Sequence, residues 1–108
     1  MSYSVSLVVD CGGPETVPLA LLDANCTWNV APMFTEVVGS TPNGWDGLPA
    51  SQVSEICGRI LSAFATDPAR FRKLNPENGW GSFEGAREFI TKIKDACDAA
   101  PKALFRCC

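Results

Sequence analysis

The chain has 108 residues, of which 46% are hydrophobic and 19% charged. That is enough apolar material for one domain with a modest core, and too much for a disordered chain. A net charge of -3 supplies no field that would gather DNA or RNA, and no stretch approaches the roughly 20 apolar residues of a membrane span.

The first strand is legible from alternation. Tyr3, Val5, Leu7, Val9 and Cys11 share one face, and Ser2, Ser4, Ser6 and Asp10 the other, with Val8 as the exception. This start also lacks a basic region and reaches Asp10 too early for an export signal, so a cytoplasmic protein is expected. Gly12, Gly13 and Pro14 end the strand. Residues 17 to 22 read as a second strand, which Pro18 confines to a sheet edge or to the strand's first position.

From Asp23 the chain turns polar and aromatic. In extended geometry Asn25, Thr27 and Asn29 point to one side, and Cys26 and Trp28 to the other. Three short polar side chains in a row either bind a polar ligand or tie down neighbouring backbone. Pro32 suits the first turn of a short helix carrying Met33, Phe34, Val37 and Val38, which Gly39 closes. Residues 39 to 49 have the composition of an irregular loop and contain Asn43-Gly44-Trp45. Pro49 opens a helix whose apolar stripe is Val53, Ile56, Cys57, Ile60, Leu61 and Phe64.

Asp67 and Pro68 are an N-cap and a first helical residue, so a short helix is expected to run to about Leu74, where Asn75-Pro76 stops it. It carries Arg70, Arg72 and Lys73, which form either a solvated face or a phosphate-binding cluster. The loop that follows is the densest run of special-purpose residues: Asn75, Pro76, Glu77, Asn78, Gly79, Trp80, Gly81 and Ser82. Asn78-Gly79 favours a tight turn, Gly81 permits close backbone approach, and Ser82 offers an N-cap with Glu84 in the first turn. Trp80 either caps the core or stacks a flat ligand beside free helix N–H groups, where an anion could also sit. The last helix carries Phe83, Ala86, Phe89, Ile90, Ile93, Ala96 and Cys97 at helical spacing, ends at Pro101, and is followed by a short closing strand at residues 103 to 107.

These elements predict one α+β domain over residues 1 to 108. Its small sheet pairs the first and last strands, three to four helices cover one face, and its exposed edge invites homo-oligomerisation. Six cysteines do not imply disulfides here. Cys57 and Cys97 occupy apolar helical positions, and Cys107 and Cys108 have no second pair at zinc spacing. The chain has no histidine, so neither a metal nor a cofactor is expected. Asp10, Asp23 and Glu84 form no catalytic constellation, which makes a binding protein a better reading than an enzyme.

The chain resembles a family of short uncharacterised proteins encoded by tailed bacteriophages and prophages. The resemblance rests on Asn25, Thr27, Asn29, Pro32 and Met33, and on Asn75, Pro76, Asn78, Gly79, Trp80 and Gly81. It implies a phage accessory protein acting inside a bacterial host. In that setting the expected function is sequestration of a small nucleotide-like antiviral signal. Trp28, Trp45 and Trp80 would be stacking platforms, and Asn25, Thr27, Asn29 and Asn78 polar contacts. Gly79, Gly81 and Ser82 would form the anion-binding loop, with Arg70, Arg72 or Lys73 on phosphate. The alternative is a protein-interaction module that inhibits a host or phage enzyme.

Overall fold

The computed structural model describes residues 2–10, 16–76, 79 and 81–107, with backbone alone for residues 10, 16–21 and 23. Strand β1 (Ser2–Asp10) is central, between β2 (Thr16–Thr27) and β3 (Leu104–Cys107), both antiparallel to it. Four helices pack against this sheet: α1 (Ala31–Val38), α2 (Ala50–Thr66), α3 (Pro68–Arg72) and α4 (Phe83–Ala99). The architecture is α+β, with the first and last strands paired as the alternation and the closing segment predict.

Alternation places Tyr3, Val5 and Leu7 in the core and leaves Ser2 and Ser4 exposed. Val8 breaks the pattern and is nevertheless buried, between its register partners Pro18 and Leu104. Strand β2 is an edge strand, the position Pro18 requires, but it is longer than residues 17 to 22. It takes in the polar segment as far as Thr27, because Ser2, Tyr3, Ser4 and Val5 pair with Thr27, Cys26, Asn25 and Ala24. The register then breaks: Val5 pairs with Ala24 but Leu7 with Leu19, so residues 20–23 bulge opposite Ser6. The outer side of β3 is covered. Gly47 N–H donates to the Phe105 carbonyl at 2.7 Å, and Phe105 N–H to the Leu48 carbonyl at 2.9 Å.

Helix ends follow the local chemistry. Gly39 closes α1 at φ +72°, a left-handed conformation that glycine adopts without Cβ strain. Asp67 caps α3 by accepting from Arg70 N–H. This helix stops at Arg72 rather than near Leu74. Leu74 and Asn75 N–H turn back to the Phe71 and Arg72 carbonyls, tightening the last turn into i to i−3 bonds.

All six phenylalanines are buried. Phe64, Phe71 and Phe83 form one cluster, joining α2, α3 and α4 with ring centroids 4.7 to 6.4 Å apart. Phe34, Trp45, Phe89 and Phe105 form a second, between the helices and the sheet. Residues 42 to 45 are a 3-10 turn rather than irregular loop, and it turns Trp45 inward to 1% exposure. Trp45 Nε1–H donates to Ser40 Oγ at 2.9 Å, so the indole's polar atom is satisfied. The expectation that Trp45 is a ligand platform is therefore corrected: it is a core residue.

Helices α2 and α4 are also held together at the surface. Ser54 Oγ–H donates to Asp98 Oδ1, while Lys94 Nζ donates to Asp98 Oδ2 at 2.7 Å and to Ser54 Oγ at 3.4 Å. These bonds hold the Asp98 carboxyl below its ordinary value of 3.8, with the Lys94 hydrogen bond the largest cause. The Lys94 ammonium is pushed above 10.5, mainly by its bond to Asp98, so it stays charged and cannot activate Ser54 as a base would. A depressed carboxylate stabilises the fold above its unfolded pKa, and that contribution disappears as pH falls through the folded value. The stability difference between wild type and Asp98→Asn is thus expected to be flat from about pH 6 to 9 and to shrink below about pH 4. Urea melts across that range would show it.

Candidate functional site

The two segments that carry the sequence motifs meet in space. Gly81 approaches the end of β2 so closely that a Cβ there would lie 2.6 Å from Thr27 Cγ2 and 3.0 Å from Val30 Cγ1. Thr27 starts a 3-10 turn over Trp28–Val30, its Oγ1 accepting from Asn29 N–H at 3.4 Å. Trp28 leans on Tyr3 with centroids 5.8 Å apart and is 37% exposed, the one exposed large hydrophobic side chain among the described residues. Asn25 and Asn29 are exposed. Asn78 and Trp80 lie outside the described residues, as does Cys11.

The start of α4 is closed by the protein's own groups. Phe83 N–H donates to Asn75 Oδ1 at 2.8 Å and Gly85 N–H to Ser82 Oγ at 3.1 Å, while Ala86 N–H bonds the Ser82 carbonyl at 2.9 Å. Glu84 accepts a backbone N–H as well, the main reason its carboxyl lies below the usual range, with Arg72 the second. A carboxylate so stabilised in its charged form is a poor general base. The donors that would hold an anion here are engaged, so Asn75 and Ser82 act as a double N-cap. Gly79 and Gly81 take positive φ, +76° and +107°, as the loop's tight turning requires.

The predicted cations separate. Arg72 pairs with Glu84 at 3.1 Å and covers the Phe83 ring at 5.1 Å. Arg70 pairs with Glu36 on α1, lies over the Phe71 ring at 5.3 Å and lines a different hollow. This hollow is a groove of 750 Å³ between α1, α2 and α3, and Glu55, Thr66 and Asp67 line it as well as Val37, Gly58, Ala63, Arg59, Ser62 and Arg70. It is shallow and open to solvent rather than enclosed, and its lining is more apolar than polar. Arg59 makes no ion pair among the described residues, so its guanidinium is available to a ligand.

Arg59, Ser62 and Thr66 were not legible as site residues, yet a signal is present. Glu55, Gly58, Arg59, Ser62, Ala63 and Thr66 recur at i, i+3, i+4, i+7, i+8 and i+11, forming a second stripe on α2 beside the core-facing one. A smaller groove of 420 Å³ lies between β2 and α4, lined by Ala24, Asn25, Gly85, Glu88, Phe89 and Lys92.

Three of the described cysteines are poor nucleophiles. Burial pushes the Cys26 and Cys97 thiols to about 11 and Cys57 higher still, so all three stay protonated near neutral pH. Among the described residues no cluster of three or more Cys, Asp or Glu side chains could hold a metal, and no helix is long and apolar enough to cross a membrane. Comparison with protein-family models, curated proteins and solved structures finds no match.

Proposed function

We propose that this chain is a phage accessory binding protein that sequesters a small anionic, nucleotide-like molecule of its bacterial host. The observation that carries this reading is the 750 Å³ groove whose lining brings Arg59 and Arg70 together with the apolar Val37, Gly58 and Ala63. Two guanidinium groups suit a phosphate, which each can grip through paired N–H donors. The apolar part of the lining suits the face of a base, and the Ser62 hydroxyl and the Glu55 carboxylate suit ribose hydroxyls or an exocyclic amine, while Thr66 Oγ1, which donates to the Ser62 carbonyl, is left to accept. The Arg70–Glu36 pair is exposed on both sides, and such pairs contribute little, so a phosphate can compete for Arg70. Sequestration needs no catalytic group. The resemblance to short phage proteins supports the inside of a bacterial host as its setting, and a nucleotide signal of antiviral defence is a ligand of the proposed chemistry in that setting.

Native mass spectrometry of the protein purified from bacteria with active nucleotide signalling is expected to show a stoichiometric nucleotide, released on denaturation. Calorimetry with the released compound should give at least about tenfold weaker binding for Arg59→Ala, with an unchanged melting temperature because Arg59 is exposed. An empty protein that shows no thermal shift with mono-, di- or cyclic dinucleotides would overturn the proposal.

A further inference from the structure

The charges around the larger groove are not those of a polyanion site. Its lining holds two cations, Arg59 and Arg70, and two acids, Glu55 and Asp67. Glu36 adds a third carboxylate through its pair with Arg70, so these five residues carry one negative charge in excess. The backbone acts in the same direction. Glu36 and Val37 belong to the last turn of α1 and Thr66 is the last residue of α2, so two helix C-termini, the negative ends of their dipoles, border the groove. The start of α3 offers little in return, because Arg70 N–H is already donated to Asp67 Oδ1 at 3.3 Å. These groups are not equally free. Arg70 is engaged by Glu36 and lies over the Phe71 ring. Glu55 and Arg59 are exposed and make no ion pair among the described residues, and they stand one turn apart on one face of α2. Any pairing of such i, i+4 neighbours on an exposed helix is weak, so a ligand can part them.

Resting on the sequestration reading above, we infer that the groove selects a nucleotide with a single negative charge, a phosphodiester, whose base carries an exocyclic amine, and that it discriminates against phosphomonoesters and polyphosphates. Arg59 matches the one phosphodiester charge through its paired N–H donors. Glu55, one turn earlier on α2, accepts from the amine. A phosphomonoester carries a charge of about −2 at neutral pH, and each further phosphate adds to it. The surplus finds no unpaired cation in the lining. Reaching Arg70 means displacing Glu36, whose carboxylate is then left bare beside the ligand, and Glu55 and Asp67 repel what remains. Glu55 therefore sets two preferences at once, the charge limit by repulsion and the base by its hydrogen bond.

Calorimetry of the full chain in metal-free buffer, with 3′,5′-cyclic AMP, AMP and ATP as probes, is expected to rank them in that order. Cyclic AMP should bind at least about tenfold more tightly than ATP, with the gap narrowing as salt is added, because the repelling carboxylates are exposed. Exchanging adenine for hypoxanthine puts a carbonyl where the amine was and should weaken the cyclic nucleotide at least about threefold. In Glu55→Gln the penalty on ATP should shrink at least about threefold. Discrimination between the two bases should disappear, since an amide can face either a donor or an acceptor, and the melting temperature should hold because Glu55 is exposed. ATP binding as tightly as cyclic AMP would overturn the inference and leave sequestration standing. So would preferences that Glu55→Gln does not change. Failure of every probe to bind would overturn the sequestration reading and this inference with it.

Discussion

Trp45→Ala is expected to lower the free energy of unfolding by about 3 to 5 kcal/mol, the range for deleting a large buried aromatic. Its ring joins Phe34 of α1 to Phe105 of β3, with centroids 6.4 and 6.2 Å away, so the cavity would open where helix layer and sheet meet. Both neighbours are themselves fully buried and held by other contacts, which limits collapse into the space. Urea denaturation followed by circular dichroism would measure the loss. Ser40→Ala separates packing from polarity. It removes the acceptor of the indole N–H and should cost about 1 kcal/mol, well below the effect of removing the ring. A Trp45→Ala protein as stable as wild type would mean that the ring is not part of the core.

Gly81→Ala should be nearly as damaging, through the opposite fault. The added methyl would lie 2.6 Å from Thr27 Cγ2 and 3.0 Å from Val30 Cγ1, at a backbone φ of +107° that side-chain-bearing residues rarely adopt. Strain and overpacking act together, and a loss of about 2 to 4 kcal/mol is expected. Gly79→Ala is the control. Its φ of +76° carries the conformational cost, but nothing among the described residues lies within 4 Å of the new methyl, so about 1 to 2 kcal/mol should be lost. The difference between the two variants measures how closely the α3–α4 loop is seated on the end of β2. Equal effects would show that the contact with Thr27 relaxes without cost.

What was legible in the sequence is what local chemistry decides. The stripes of α2 and α4, the alternation of β1, and the caps at Gly39, Asp67 and Ser82 all depend on residues within a turn or two of each other. The missed features depend on distant partners. The alternation of residues 25 to 29 suits extended backbone, but the polar composition of residues 23 to 27 does not mark them as a continuation of β2. They extend β2 because Ser2, Tyr3, Ser4 and Val5 pair with residues 24 to 27 from across the hairpin. Trp45 stands in a Gly- and Pro-rich loop whose composition is equally suited to an exposed platform. Its burial was decided by Phe34 and by Phe105, at the far end of the chain. The candidate site was legible in part for the same reason. Arg70 was singled out, but it belongs with Arg59 of α2 rather than with the loop that follows α3. The start of α4, which resembles an anion site by its residues, is closed by Asn75, a side chain eight positions before the N–H it binds.

The pairing of β3 with β1 sets the order in which this molecule can assemble. Val5 lies opposite Cys107, so the sheet closes only when segments from the two ends of the described chain find each other, and the entropy of that search is borne before the contact gives anything back. The β1–β2 hairpin and the helices can form from nearer neighbours. Until β3 arrives, however, β1 presents one bare side and Trp45 lacks the Phe105 face of its pocket. The last strand therefore acts as a latch. A chain without it would retain much of its helix but expose a strand edge and an indole, which is the combination that drives chains to aggregate.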